Sequence, residues 1–432
     1  MKNIVSNLYS DYLRYTDRFR AIPWEVDLLK PVERRVLLSV HEVARTKFTK
    51  AAKVTGSCLA NYHPHGDLST YEVLVSLVQN GLVEGQGNWG NDNVKDYIKA
   101  ASPRYTECRA VSEVDDGFSE FLNFVPWEEF EYEKEPHYLP FYLPIGIIGY
   151  GIIQGISLHT TKIPRYQYKD LLTRLYELIT NSPLKTIIKP AIYQNEVFED
   201  VENEFERILT TGEGVLYCIP KYKIIDNVIH IYGKNPISGF NKLDAFNEKY
   251  EELNGKPFAI IIDSSDSKLE VIVSPPKRIT LSQKFISDVM DLVSCKLHIN
   301  CNIVTENGTV EQKGIDSLLV NTYNKWKLAF NAKLNNDLQN FLVKEHELNI
   351  VLAIRNIMQQ YPGVNTLDDI FKHNTTNYTK DELLMVMKKY TIRQLIEAKI
   401  DIPELQKKIQ NIKDNVINLD TLSLERIKLC LK

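Results

Sequence analysis

Long apolar runs are missing from this 432-residue chain. Without about 18 consecutive apolar residues, no membrane-spanning helix is expected. The first residues, Met1-Lys2-Asn3-Ile4-Val5-Ser6, lack the apolar core of a secretory signal. Cysteine is scarce: six residues, at 58, 108, 218, 295, 301 and 430, with no Cys-x-x-Cys pair. That scatter argues against a disulfide scaffold and fits reduced thiols in a cytoplasmic protein. Net charge is only −4, so a nucleic-acid surface would have to be a local patch. No internal repeat and no low-complexity linker is visible. The ordinary apolar fraction, 44%, fits a soluble globular protein. The length suits about two to four domains.

What is present is unevenly spread. Between Lys30 and Lys53 stand seven basic residues (Lys30, Arg34, Arg35, Arg45, Lys47, Lys50, Lys53) and two acids. Between Glu113 and Glu135 stand nine acids and one lysine. Adjacent basic and acidic stripes suggest a polyanion site with a defined edge; solvated helix faces are the plainer reading. Residues 31–46 read as an amphipathic helix, with Pro31 suited to its first turn and Val36, Leu37, Val40 and Val43 or Ala44 at helical steps. Residues 51–61 and 68–80 read as two further helices around the turn His63-Pro64-His65-Gly66-Asp67. That packaging is a helix-turn-helix, the usual way to set a helix in a major groove.

Further on, Val215-Leu216-Tyr217-Cys218-Ile219, Val228-Ile229-His230-Ile231-Tyr232 and Ala259-Ile260-Ile261-Ile262 read as strands. Asn307-Gly308, between strands at 296–304 and 309–312, predicts a type I′ hairpin. Within 295–301, Cys295, Leu297, Ile299 and Cys301 share one strand face and His298 takes the other, which argues against a zinc site. From Ile315 to Tyr361 there is neither glycine nor proline, and Leu319, Tyr323, Trp326, Phe330, Leu334, Leu338 and Phe341 recur at helical steps. A single helix of roughly 70 Å is expected, at about 1.5 Å per residue. Residues 380–398 and 403–417 supply returning helices, and such a hairpin usually reaches out to another copy or partner.

Three short blocks carry the chemistry: His63-Pro64-His65-Gly66-Asp67, Gly85-Gln86-Gly87-Asn88-Trp89-Gly90 and Pro103-Arg104-Tyr105-Thr106-Glu107. A phenol has a pKa near 10 and needs nearby cations to act as a nucleophile at neutral pH. Arg104 is adjacent to Tyr105, and His65 and Arg20 are further candidates. Cations would also stabilise charge building on an attacked phosphorus. Alone, Tyr105 is one of 23 tyrosines and a packing role is the default; the surrounding pattern is what singles it out.

Taken in order, the blocks resemble the cleavage subunit of type IIA DNA topoisomerases. Lys30-Pro31-Val32-Glu33-Arg34-Arg35-Val36-Leu37 is similar to that family's K-P-V-x-R-R-V-L, and Lys50-Ala51-Ala52-Lys53-Val54-Thr55-Gly56 to its basic segment. Tyr62-His63-Pro64-His65-Gly66-Asp67 resembles Y-H-P-H-G-D, and the loop at 85–90 resembles G-Q-G-N-F-G with Trp89 as the aromatic. Arg104-Tyr105-Thr106-Glu107 matches R-Y-T-E, Glu135-Pro136 with Leu139-Pro140 resembles E-P-x-x-L-P, and Gly151-Ile152-Ile153-Gln154-Gly155 resembles G-I-A-x-G. These blocks span residues 20–155; beyond them the likeness is one of element order.

The resemblance implies an α+β multidomain chain: an N-terminal arm at 1–24, a winged-helix (helix-turn-helix) DNA-cleavage domain at 25–160, an α/β tower at 161–314, and long coiled-coil helices with a C-gate dimerisation domain at 315–432. It implies that Tyr105 forms a 5′-phosphotyrosyl bond with each strand of a duplex, with Arg104, Arg20 and His65 stabilising the phosphate. Lys30, Arg34, Arg35, Lys50, Lys53 and His63 would hold DNA, and Ile152 would wedge between base pairs. Such an enzyme needs Mg²⁺, held by a Toprim carboxylate cluster, and ATP. Asp263-Ser264-Ser265-Asp266 lacks the Toprim spacing, and no ATPase signature is seen. Both functions are therefore expected in a second subunit, giving an A₂B₂ assembly, as in the short medium subunits of phage enzymes. Ending at Lys432 leaves no room for a wrapping domain, so relaxation and decatenation are expected over supercoiling. Two other readings stand beside this one: a non-catalytic dimeric DNA-binding scaffold, and a tyrosine recombinase or nickase working without partner or ATP. Leu68 replaces the serine of quinolone-sensitive relatives, with Glu72 four residues on, so weak quinolone trapping is expected.

Overall fold

The computed structural model describes residues 10–90, 98–130, 133–183, 186–191, 198–199, 201–218, 221–232, 237–264, 268–275, 281–397 and 401–431. Residues 1–6, Glu131, Ile219, Ser265 and Asp266, which figure above, lie outside these. The fold is mixed α/β. Two compact units are formed, one by Met1–Trp326 with Ile427–Lys432 and one by Lys327–Arg426.

The first unit begins with a short π-helical turn, Asp17–Ala21. Helix α1 (Pro31–Ala44) follows, with Pro31 in its first turn and the Glu33 carboxylate accepting the Lys30 N–H at 2.8 Å. Pro31 loses nothing there, because first-turn amides have no intrahelical partner. The expected apolar stripe is buried, but so are Arg34, Arg35, Leu38 and Ser39, so α1 is enclosed on most of its circumference. Strand β1 (Thr49–Lys50), helix α2 (Ala51–Asn61) and helix α3 (Asp67–Gln79) come next. Val54 and Leu74 are fully buried between these helices. Each such side chain stabilises the packing by about 1.5–3 kcal/mol. Strands β2 (Val83–Gln86) and β3 (Glu107–Ala110) complete a three-stranded sheet in the order β1-β3-β2, with Lys50 opposite Glu107 and Gln86 opposite Glu107 on the other edge. Helix α4 (Ser112–Ser119) then leads to the hairpin β4 (Trp127–Phe130) and β5 (Glu133–Pro136).

A five-stranded sheet, ordered β6-β7-β14-β9-β8, follows. Its strands are β6 (Ile152–Ile156), β7 (Thr160–Pro164), β8 (Phe198–Glu199), β9 (Glu213–Cys218) and β14 (Cys295–Asn300). Helices α5 (Tyr168–Ile179) and α6 (Glu204–Thr211) interrupt them. Strands on both sides of residue 160 therefore share one sheet. A second sheet, ordered β10-β11-β13-β12, comprises β10 (Lys221–Ile225), β11 (Val228–Tyr232), β12 (Ala259–Ser264) and β13 (Lys268–Val273). Helices α7 (Ile237–Asn254) and α8 (Gln283–Val293) pack on it through Leu243, Ile286, Val289 and Val293 against Ile229, Ile231, Val271 and Val273.

Two local expectations are corrected here. The strand read at 296–304 is two strands: β14 ends at Asn300, and β15 (Asn302–Val304) pairs instead with β16 (Val310–Gln312). Cys301, fully buried between them, donates its N–H to Gly212 O and so leaves the first ladder. The hairpin turn is not type I′. Gly308 alone has positive φ (+77°), and its N–H donates to Thr305 O at 2.8 Å. One left-handed glycine after a closed four-residue turn fits the three-residue hairpin with a bulge, since type I′ needs two such residues.

Helix α9 (Ile315–Gln360) runs unbroken for 46 residues and belongs to both units. In the second unit, Ile350, Val351, Ile354 and Ile357 of α9 pack with Ile370 of α10 (Leu367–Lys372) and with residues of the next two helices. The expected helix at 380–398 is broken into α11 (Lys380–Lys389) and α12 (Ile392–Glu397). Tyr390 is extended, and Thr391 N–H donates to Gln394 Oε1 at 2.9 Å. Thr391-Ile392-Arg393-Gln394 is a helix-start signature, which is why a new helix begins there. Helices α13 (Ile402–Ile417) and α14 (Leu419–Cys430) end the chain.

Candidate active site

Tyr105 sits on a turn fastened from three sides. Its own N–H donates to Ser102 O at 2.8 Å. The first two amides of α2 bond to the same segment, Ala51 N–H to Thr106 O and Ala52 N–H to Pro103 O, each at 3.0 Å. Those amides lack partners inside the helix, so the tyrosine turn completes the helix end. From α3, the Tyr71 hydroxyl donates to Ala101 O at 2.6 Å and stands 2.9 Å from Thr106 Oγ1, which is left as the donor of that second bond. The glycine-rich loop closes the third side. Asn88 O accepts from Ala101 N–H at 2.9 Å, and Gly87, at φ +101°, lies in contact with the turn, where a Cβ would stand 3.4 Å from Tyr105 O. Trp89 is buried, donates its indole N–H to Gln86 O at 3.2 Å and tilts against Tyr71 with ring centroids 5.9 Å apart.

With its backbone held in this way, the Tyr105 ring is 64% exposed. The Arg104 guanidinium carbon lies 4.7 Å from its centroid. An exposed tyrosine beside a cation on a rigid turn can reach an external phosphate. Neighbouring thiols do not compete: burial pushes Cys108 up to about 12 and Cys58 up to about 11.

A second group gathers at the turn between α2 and α3. The rings of His63 and His65 meet edge to face at 4.6 Å. Arg35 Nη1 donates to His63 Nδ1 at 3.0 Å. Burial, and then the positive charges of Arg35, His65 and Arg20, lower His63 to about 4. His63 is therefore neutral at pH 7 and carries its proton on Nε2. Arg20 belongs to the same neighbourhood and also stands over Tyr15, 6.0 Å from its ring centroid.

The chain matches the family of the DNA gyrase/topoisomerase IV A subunits over residues 20–429. It belongs to that family. Relatives include the A subunit of DNA topoisomerase 4 from Escherichia coli K12, 27% identical over 93% of this chain and 56% of the relative. The A subunit of DNA gyrase from Clostridium acetobutylicum is 36% identical over 42% of this chain and 22% of the relative. Its counterpart from Helicobacter pylori, also of DNA gyrase, is 34% identical over 42% of this chain and 24% of the relative. The chain spans about half the length of the topoisomerase 4 relatives it matches.

In this member of the gyrase/topoisomerase IV family the basic stripe is not one surface. Arg34 is buried and bonded through Nε and Nη2 to both carboxylate oxygens of Asp27, at 2.8 and 3.0 Å. Arg35 is buried and bonded likewise to Glu135, at 2.6 and 2.8 Å. Both arginines are expected to hold DNA phosphates; here each guanidinium is enclosed by a bidentate carboxylate that matches its charge. Arg35 also orients His63. Arg45 pairs with Asp115 and Asp116 at 2.9 and 3.0 Å, so part of the acidic stripe neutralises the end of the basic one.

Four lysines remain toward the surface, Lys47 among them, exposed before β1. Lys30 Nζ donates to Gln154 O at 2.5 Å. Lys50 is half exposed and pairs with Glu107 at 2.8 Å, and Lys53 is exposed on α2. Ile152 is partly buried at the start of β6, opposite Pro164. Tyr71, Asp27 and Glu135 escaped the sequence reading as site-building residues. Only Glu135 had a visible signal, its place in the Glu135-Pro136 block. Among the described residues no three His, Cys, Asp or Glu side chains gather to hold a metal ion, and no helix is long and apolar enough to cross a membrane.

Proposed function

We propose that this chain is the DNA breakage-reunion subunit of a type II topoisomerase and that Tyr105 is its nucleophile. The observation that carries this reading is the exposed Tyr105 ring on a turn held by α2, α3 and the glycine-rich loop, with Arg104 against it. The tyrosine Oη attacks a backbone phosphorus; the Oη–P bond forms as the P–O3′ bond breaks. The phenolic proton is surrendered, the departing O3′ takes one up, and the phosphate stays on the 5′ end joined to Tyr105. Religation is the same displacement in reverse.

Arg104, Arg20 and His65 stabilise charge on the attacked phosphate, and neutral His63 offers its Nε2–H as a donor. Lys30, Lys50 and Lys53 hold flanking phosphates, and Ile152 packs against a base step. Helices α1–α3 with the β1-β3-β2 sheet form the winged helix of a cleavage domain at 25–160, preceded by an arm at 1–24. Residues 161–314 form the tower, and 315–432 the coiled coil and a C-gate through which two copies pair. Mg²⁺ supplies Lewis-acid stabilisation of the reacting phosphate; no described residue cluster here fits it, so we assign it, with ATP, to a second subunit carrying Toprim and ATPase domains. The assembly is A₂B₂ in the cytoplasm of a bacterial or phage-infected cell, acting on double-stranded DNA by relaxation and decatenation.

A denaturant-trapped cleavage assay tests this. The chain, its co-encoded partner, plasmid DNA and Mg²⁺ are mixed and quenched with detergent. Linear DNA bearing protein on its 5′ ends, absent with Tyr105→Phe, is the expected result. Tight duplex binding with no covalent adduct would favour a DNA-binding scaffold, and a 3′ linkage formed without partner or ATP would favour a recombinase.

A further inference from the structure

The tip of the β6–β7 hairpin carries an apolar group that the proposed chemistry does not use. Along β6, burial alternates so that Ile152, Gln154 and Ile156 share the outward face while Ile153 and Gly155 point inward. Ile156 is 79% exposed and Leu158, just past the turn, 48%. Leaving Ile156 in water forfeits burial, and it is the outermost apolar group of that face.

The tip is held firmly. Five registered pairs run from Ile152 opposite Pro164 to Ile156 opposite Thr160. Ser157 N–H donates to His159 O at 2.9 Å, and His159 Nδ1 lies 2.8 Å from Oδ2 of the buried Asp17. Gly155 lies against Ala21 O, so close that a Cβ there would stand 2.1 Å away. The hairpin is thus seated on the π-helical turn that carries Arg20.

The surroundings are basic. Lys30 reaches Gln154 O on this strand, and Lys162 is the cross-strand partner of Gln154 and shares its face. The same face continues into a cleft of about 330 Å³ lined by Lys162, Arg207, Glu213 and His298, in which Arg207 is paired with Glu204 at 3.3 Å and Glu213 at 3.9 Å, so that Lys30 and Lys162 are the cations beside the tip. A rigid apolar tip flanked by cations and joined to Arg20 matches one occupant, a DNA duplex: phosphates meet the lysines and an apolar side chain enters between bases.

We propose that Ile156 is a DNA wedge of this chain, inserting at a base step distinct from the one met by Ile152. The proposal rests on the topoisomerase reading above. Four residues of extended strand separate the two side chains by about 13 Å, too far to share one step. The two isoleucines therefore act as separate, testable contacts.

The test measures bending of a short duplex by end-to-end energy transfer, and local unstacking by 2-aminopurine placed at successive steps, with the co-encoded partner and Mg²⁺ present and in the Tyr105→Phe background so that cleavage plays no part. The expected result is that Ile156→Ala loses about half of the bend and one of two unstacked positions, as removal of a wedge should. Ile156→Leu keeps both, and Ile152→Ala loses the other position. Because Ile156 is exposed, thermal melts of the Ile156 variants should coincide with the parent. Bending and unstacking by Ile156→Ala equal to the parent would overturn the proposal alone. So would unchanged bending accompanied by a loss of self-association, which would place a second copy on the tip. A parent complex, with partner and Mg²⁺ present, that neither binds nor bends duplex DNA would instead overturn the topoisomerase reading, and this wedge with it.

Discussion

The Nδ1 of His63 accepts a hydrogen bond from Arg35 at 3.0 Å, while Arg35 is itself clamped by Glu135. One buried arginine thus links a carboxylate 100 residues away to the histidine of the turn between α2 and α3. Because Arg35 can only donate, it defines which imidazole nitrogen keeps the proton.

This relationship predicts a pH dependence. His63 is lowered to about 4 in the folded chain from its ordinary value of 6.5. Between these values the unfolded chain binds a proton that the folded chain refuses, so stability rises with pH through that window. The contribution is present above pH 6.5 and is lost progressively as pH falls to about 4. Urea titrations across pH 4–7 should show a steeper acid-side decline in the parent than in His63→Gln. Parallel curves would contradict the assignment.

The two classes of basic residue should separate experimentally. Arg35→Ala strands the buried Glu135 and should cost about 3–5 kcal/mol of stability. Lys53→Ala should leave stability within about 0.5 kcal/mol, yet flatten the salt dependence of duplex binding by about one unit of slope. Denaturant melts and binding isotherms at several salt concentrations check both.

Gly87 should prove intolerant. Its φ of +101° is a backbone conformation that an L side chain adopts only under strain. Gly87→Ala should destabilise by about 1–3 kcal/mol. Covalent adduct formation should fall further than the lost stability explains, because the Tyr105 turn shifts with the loop. Tyr105→Phe is the contrast: the ring is exposed, so the melt should be unchanged and only the adduct lost.

Leu68 is 67% exposed in the first turn of α3. An isobutyl group there cannot hydrogen-bond a metal-bound water of a quinolone, so trapping of cleaved DNA should be weak. Leu68→Ser should raise quinolone-stimulated cleavage without altering the melting temperature, since no core contact is lost. Strong trapping by the parent at low drug concentration would contradict this.

Periodicity and local motifs determined much of this protein. Helices α1, α2, α3 and the 46-residue α9 follow from apolar spacing and the absence of breakers, and β9, β11 and β12 from short β-branched runs. The order of the blocks around His63, Gly87 and Tyr105 carried the family. The break at Thr391 was legible too, in Thr391-Ile392-Arg393-Gln394, although the surrounding helical pattern masked it.

What the chain could not reveal locally is which polar groups meet. Arg34, Arg35 and Lys53 look alike in sequence, yet Asp27 and Glu135 bury the first two and leave Lys53 exposed. Burial is a property of distant partners, and it alone separated the enclosed cations from the exposed ones. Strand register likewise could not choose between Ile152 and Ile156, which share one face. Only the closing of the hairpin against Ala21 and Asp17 decided that Ile156 stands furthest into solvent. Spacing along the chain sets secondary structure because those forces act over a few residues; exposure and pairing are set by contacts that form only when remote segments meet.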